Sequence, residues 1–262
     1  MSYYKVEEIY PWLYSIHDPM GVYCYLVIGE EKALLLDTGY GVASLMDIIR
    51  EITDKPVTVI LSHGHIDHAN GAFQFEEAWL HQADLDVFKL HTSKAFREDT
   101  VNELDKKNLA PADFNAKEYV SKKCCHLNML ETGQIFELGD LSCEMVAMEG
   151  HTHGSIGLLI KEKHVLLASD ASSRHVWLFL DESTTTKSYI TMLKRTLTLE
   201  FDTFFTGHSN IEFPKADFNK FIHVAEHATL ENSKPYPTFP ELEGYIYEEN
   251  GVALVFNKRT KG

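Results

Sequence analysis

Two stretches of this chain follow one plan, and that repetition limits the folds open to it. Residues 25–28 form an apolar run, Gly29-Glu30-Glu31-Lys32 a short polar turn, Ala33–Leu36 a second apolar run, and Asp37 closes the unit. Residues 157–160, Lys161-Glu162-Lys163-His164, Val165–Ser169 and Asp170 repeat the same order. Helical spacing follows each aspartate, through Leu45, Ile48, Ile49 and Ile52 in the first unit and Ile190, Leu193 and Leu197 in the second. Each helix leads to another strand-like run, residues 57–61 before Ser62-His63 and residues 203–207 before His208. A hairpin, an aspartate, a helix and a strand that ends in histidine therefore occur twice. Converging βαβ patterns would read similarly. As a duplication, the plan predicts two β-rich halves packed face to face, with helices outside and polar chemistry at their shared edge.

The chemistry is concentrated in Ser62-His63-Gly64-His65-Ile66-Asp67-His68, which places three imidazoles and a carboxylate directly after a buried strand. Imidazole nitrogen and carboxylate oxygen suit a borderline divalent cation. His63 and His65 are two apart and project to one side of an extended chain, while Asp67 and His68 fall where the chain turns. The spacing points to two ions; a solvated polar turn is the plainer alternative. Partners stand elsewhere in the chain: His151 in Gly150-His151-Thr152-His153-Gly154-Ser155, Asp170 and His208 at strand ends, and Asp37 upstream.

The ordered set Asp37, His63-x-His65-x-Asp67-His68, His151, Asp170 and His208 resembles the metallo-β-lactamase-fold hydrolases over about residues 20 to 210. The resemblance implies an α+β fold, a four-layer αββα sandwich of two duplicated halves. Within a single domain, 1–262, the halves are expected at about 1–150 and 151–262. It also implies a dinuclear metal centre, with His63, His65 and His151 on one ion, Asp67, His68 and His208 on the other, Asp170 bridging, and Asp37 fixing the ligand loop from behind. Two divalent ions are expected, zinc first, with iron or manganese as substitutes. The implied nucleophile is a hydroxide shared by the ions, with Asp67 and Asp170 as the carboxylates that take part in the reaction. Asp170 stands where zinc β-lactamases of this fold place a cysteine ligand or no bridge, which argues against β-lactams. His65 replaces the glutamate of the flavo-diiron branch. The glyoxalase II and lactonase branches share the full ligand set, although Asp170-Ala171-Ser172-Ser173 lacks the lactonase tyrosine. A small ester-like substrate, lactone or thioester, is the leading expectation. A phosphodiesterase and a non-catalytic metal-containing sensor are the rivals.

A formal charge of −15 disfavours nucleic acid as a partner. No apolar stretch approaches the ~18 residues that span a membrane, and residues 1–8 show no basic region followed by an apolar one. Cys24, Cys124, Cys125 and Cys143 lack framework spacing and read as reduced thiols of a cytoplasmic protein. A small-molecule partner is expected, and a homodimer is compatible with this composition. Residues 76–89 and 215–231 read as helical. Residues 91–123 are polar and mixed, either a lid over the site or an inert surface excursion. Pro235, Pro237 and Pro240 mark a linker before a hairpin turning at Asn250-Gly251. Arg174, His175, Trp177 and Phe179 follow Asp170 and line a substrate pocket if that loop projects outward; core packing is the alternative for Trp177 and Phe179. His153 lines the pocket or merely occupies its turn. His17, His81, His91, His126, His164, His223 and His227 read as surface or half-buried residues.

Overall fold

The computed structural model describes residues 2–238 and 242–261, so Pro240 of the linker and Met1 lie outside the described residues. Seven strands lie side by side in chain order in the first sheet: β1 (Lys5–Tyr10), β2 (Leu13–His17), β3 (Tyr23–Ile28), β4 (Ala33–Leu36), β5 (Val57–Ile60), β6 (Glu77–His81) and β7 (His126–Leu130). The second sheet uses β8 (Ile135–Glu137), β9 (Ser142–Ala147), β10 (Ile156–Ile160) and β11 (Val165–Ser169). After β12 (His175–Trp177) departs, β13 (Thr203–Thr206) and β14 (Ser209–Pro214) complete it. A third sheet joins β12 to β15 (Lys234–Pro235), β16 (Tyr245–Glu249) and β17 (Val252–Phe256). Strands 135–147 pair within the second sheet, so the change of sheet falls in the turn before Ile135 and not near residue 150.

The repeated plan is visible in the pairing. β3 and β4 are antiparallel, β4 and β5 parallel, with α1 (Leu45–Ile52) between them. β10 and β11 are antiparallel, β11 and β13 parallel, with α6 (Thr186–Thr196) between them. The second copy absorbs one extra residue as a register shift between Leu167 and Ser169.

Alternation along the strands builds four layers. Leu34 and Leu36 meet Leu158, Val165, Leu167 and Phe205 in the core between the two sheets. Ala33 and Leu35 face outward onto Leu45, Ile49 and Phe88, under α1 and α3 (Leu85–His91). Leu166, Ala168 and Phe204 face outward onto Met192, Leu193, Phe218 and Phe221, under α6 and α7 (Phe218–His227). Both strands of each repeat are thus buried on both faces, which explains their unbroken apolar sequences. This is the αββα sandwich.

Three segments depart from the sequence reading. Residues 77–81 are strand, not helix: Ala78 and Leu80 are buried, and β5 and β7 flank β6 in parallel pairing. Those neighbours supply ladder partners that local propensity cannot foresee. Residues 91–123 carry two helices, α4 (Lys94–Lys107) and α5 (Ala116–Ser121). Buried Arg97 ties them down, its Nε donating to Asn70 Oδ1 at 2.8 Å and its Nη1 to the carbonyl of Lys122. The helix expected to Glu231 stops at His227. The C-terminal hairpin turns at Asn250 and Gly251, both at positive φ, +54° and +74°, the conformation an Asn-Gly turn supplies at least cost. Among the described residues, no helix is long and apolar enough to cross a membrane.

Candidate metal centre

The parallel strands β5, β11 and β13 end at one edge of the sandwich, and their following residues converge there. His63 comes three residues after β5, Asp170 directly after β11 and His208 two after β13. His65 caps the four-residue helix α2 (Ile66–Ala69), which carries Asp67 and His68. His151 comes from the β9–β10 connection. The donor atoms of His63, His65 and His151 lie within 4.8 Å of one another, as do those of Asp67, His68 and His208, and those of His63, His68 and Asp170. His151 Nε2 is 3.8 Å and His208 Nε2 3.2 Å from Asp170 Oδ2, while His68 Nε2 is 3.4 Å from Asp170 Oδ1. Asp170 thus sits between the two groups. The structure brings together all seven residues that the sequence picked out.

Each ring has one nitrogen turned outward to an acceptor. His63 Nδ1 meets Ser62 Oγ at 2.9 Å, His68 Nδ1 meets Asp37 Oδ2 at 2.9 Å, and His65 Nε2 meets Glu182 Oε1 at 2.6 Å. His151 Nδ1 donates to the Trp177 carbonyl at 2.9 Å, and His208 Nδ1 to the Gly21 carbonyl at 3.1 Å. A neutral ring that donates outward points a lone pair inward. His65 Nδ1 and His151 Nε2 then face each other at 2.9 Å, lone pair to lone pair. That arrangement is repulsive without a shared cation. His63 Nε2, His68 Nε2 and Asp170 Oδ1 are buried with no hydrogen-bond partner. Orphaned inward donors with satisfied outward nitrogens fit divalent ions, because outer hydrogen bonds are what orient metal-binding imidazoles.

The electrostatics agree. Burial alone would depress His68, but Asp170, Asp67 and Asp37 outweigh it and hold the ring well above its ordinary value. His208 is pushed up to about 9, burial being overcome by Asp170 and Asp67. His63 lies well below its usual value through burial and the nearby rings of His68, His65 and His151. Burial and His65 bring His151 down to about 4. The carboxyls of Asp67 and Asp170 resist burial and stay below their usual range because His68 and His208 face them. The cluster demands positive charge among its carboxylates.

Two buried aspartates hold the loops. Asp37, at φ +68°, accepts from the Ser62 backbone N–H at 2.7 Å through Oδ1, and its Oδ2 takes Ser62 Oγ, His68 Nδ1 and Ser169 Oγ at 2.8–3.0 Å. Asp84, which nothing in the sequence singled out, accepts from Gly64 N at 2.8 Å, Gly154 N at 2.6 Å and Thr152 Oγ1 at 2.8 Å. It clasps the loop of His63 and His65 to the loop of His151. A Cβ on Gly154 would meet Asp84 Oδ1 at 2.5 Å, and one on Gly207 would press into Asp170 Oδ1 and His68. Both glycines are required by close approach.

Glu182 and His91 were also missed by the sequence reading. Glu182 grips His65, and the His91 ring lies over that of His65 with centroids 4.6 Å apart. No local pattern marks Glu182; His91 sits at the start of the polar segment 91–123, a weak signal. Of the expected pocket residues, the chain after Asp170 does not project as a loop but enters β12, parallel to β17. Arg174 stacks its guanidinium 4.9 Å from the Phe213 centroid, and His175 lies against Tyr236. Phe179 is 0% exposed, packed with Leu180 and Val255, so the pocket expectation is corrected there to core. Trp177 is half-buried and reaches the centre through its carbonyl on His151. His153 is exposed, its backbone N–H donating to the Glu182 carbonyl at 3.1 Å.

Known proteins resemble this chain in sequence and in fold. Human acyl-coenzyme A thioesterase MBLAC2 is 26% identical over 161 residues, covering 56% of this chain and 56% of that protein. Hydroxyacylglutathione hydrolase GloC of Haemophilus influenzae is 24% identical over 148 residues, 56% of this chain and 65% of that protein. The chain therefore spans somewhat over half the length of these curated relatives. A metallo-beta-lactamase family protein of Thermus thermophilus superposes with a TM-score of 0.56 at 19% identity, covering 82% of this chain and 79% of the other. The sequence pattern of the metallo-beta-lactamase superfamily matches residues 17–208, which enclose every candidate ligand, and the chain belongs to that superfamily.

Proposed function

We propose that this protein is a metal-dependent hydrolase of small thioesters or related esters. Two divalent ions would be held by His63, His65 and His151 and by Asp67, His68 and His208, with Asp170 between them. The carrying observation is the set of inward imidazole nitrogens, each ring oriented by an outer hydrogen bond and two of the inward nitrogens buried without a hydrogen-bond partner. Such ions supply an acidified water and polarise an acyl oxygen. Asp170 keeps the two groups of donors at a fixed separation. Asp67 adds the charge that faces His208 and His68, at 3.6 and 3.4 Å between the nearest atoms. Asp37 holds His68 with Nε2 inward.

Thioester chemistry is favoured by the thioesterase and hydroxyacylglutathione hydrolase among the relatives. Zinc is the first choice of metal for this nitrogen- and oxygen-rich set, with iron or manganese set by supply. Elemental analysis of gently purified protein tests the centre: two ions per chain are expected, and a ceiling of one that added metal does not raise refutes it. A panel of acyl thioesters, lactones, β-lactams and phosphodiesters on the metal-loaded protein tests the chemistry. Turnover of phosphodiesters alone, or of nothing on the panel, overturns the thioester reading. Asp170→Ala should remove nearly all turnover and at least one metal while the fold survives.

A further inference from the structure

Behind His65 lies a cluster of which the hydrolase reading uses only one hydrogen bond: Glu182, His91 and the loop carrying Glu182. His65 Nε2 is 2.6 Å from Glu182 Oε1, across a sequence separation of 117 residues. His91 Nε2 stands 3.9 Å from the same oxygen, and its ring covers that of His65. The donor atoms of the three side chains approach one another as those of a metal site do. The hydrogen bonds argue otherwise. The backbone N–H of Ile66 donates to His91 Nδ1 at 3.3 Å, so the proton of the neutral ring is on Nε2 and faces Glu182. His65 likewise spends its Nε2 proton on Glu182. A cation here would find two N–H groups, not two lone pairs.

The loop that presents Glu182 is itself fixed by two residues that follow β17, Asn257 and Arg259. Asn257 Nδ2 donates to the Phe179 carbonyl at 2.7 Å, and Arg259 donates to the carbonyls of Ser183 and Leu180. Ser183 Oγ donates to the His151 carbonyl at 2.8 Å, and Thr184 N to the Gly150 carbonyl at 2.9 Å. Arg259 lies in α8 (Lys258–Lys261) and Asn257 directly precedes it, both beyond residue 208, where the superfamily match ends.

We propose that Glu182 is a positioning residue for the metal centre: it holds the proton of His65 on Nε2 and so commits Nδ1 to the ion shared with His63 and His151, in a register set by Asn257 and Arg259. This rests on the reading of His63, His65 and His151 as ligands. An outer carboxylate on a metal-binding imidazole is worth about 10–100-fold in affinity.

The test is metal affinity of the full chain, measured by competition with a chromophoric chelator for zinc, with the visible spectrum of the cobalt-substituted protein as a second readout. Glu182→Ala should weaken binding of the ion shared by His63, His65 and His151 by about 10–100-fold and change the cobalt bands. Glu182→Gln, which keeps an acceptor oxygen, should stay within a few-fold of wild type. Glu182→Leu, similar in volume without an acceptor, carries the test if the alanine variant does not fold. Arg259→Ala should shift affinity in the same direction, less strongly. Unchanged affinity and cobalt bands in Glu182→Ala, or in Glu182→Leu, would overturn the proposal while leaving the two-ion reading intact. So would a third bound ion lost in His91→Ala. Wild-type protein that binds no metal would instead defeat the underlying reading.

Discussion

Asp84 offers the sharpest test of how the centre is held together. Its carboxylate is fully buried and accepts three hydrogen bonds, from Gly64, Gly154 and Thr152, which belong to the two loops carrying His63, His65 and His151. Asp84→Ala leaves the Gly64 and Gly154 N–H groups buried with no acceptor at that point, while the Thr152 hydroxyl keeps only Ser155 Oγ at 2.8 Å. A hydrogen bond to a charged group contributes about 1.5–3 kcal/mol. Three that share one acceptor do not add fully, and water can enter the space left by the carboxylate. A loss of about 4 kcal/mol is therefore expected. At about 2–3 °C per kcal/mol for a chain of this size, the melting temperature should fall by about 10 °C. Asp84→Asn keeps one oxygen but turns an NH2 group toward a donor, at Gly154 on one side or Gly64 on the other. It should cost about 2 kcal/mol. The assay is urea unfolding of metal-stripped protein, with zinc affinity measured in parallel. Stripping the metal separates the clasp from the ions, which also stabilise the folded state by binding it. If Asp84→Ala unfolds within about 1 kcal/mol of wild type, the two loops are held by something else and the clasp argument fails.

Gly207→Ala should abolish binding of at least one ion while the melting temperature of the stripped protein moves little, since the added methyl presses on Asp170 and His68 and not on the core; retention of two ions would contradict the geometry. In metal-stripped protein, His208 is raised to about 9 and His68 is held well above its ordinary value, so both bind protons more tightly folded than unfolded. Their stabilisation is complete below the unfolded value of about 6.5, and the share from His208 is lost as pH climbs through about 9. His208 is 41% exposed at its side chain, so solvent screening trims its share. His63 and His151 are lowered, the latter to about 4, so they oppose folding of the stripped protein below about 6.5. Stability of stripped protein should peak near about pH 6.5, and metal should flatten the alkaline side; a stability that rises from about pH 7 to 9 without metal would refute this. Trp177→Ala should lower stability by about 3 kcal/mol through lost packing on Phe179 and Tyr236, with metal content unchanged because only its carbonyl holds His151. Thermal melting beside elemental analysis checks it.

The chain's own sequence determined the repeat and the donors. Apolar runs buried on both faces are continuous in sequence, and a strand end marks where polar residues can gather, so Asp37, His63, Asp170 and His208 were legible from local pattern alone. The Asn250-Gly251 turn was legible for the same reason, since its backbone conformation is a property of those two residues. What the tertiary structure decided is whatever depends on a distant partner. The strand Glu77–His81 exists because β5 and β7 lie beside it. Phe179 is core and not pocket because β12 found β17, far along the chain. Asp84, Glu182 and His91 are single polar residues without a motif, and they acquire a role only where folding places them against Gly64, Gly154 and His65. A donor set can be written in a short motif because chain geometry keeps its members close. The outer hydrogen bonds that orient those donors can come from any element that packs nearby, and no periodicity in the sequence records which one does.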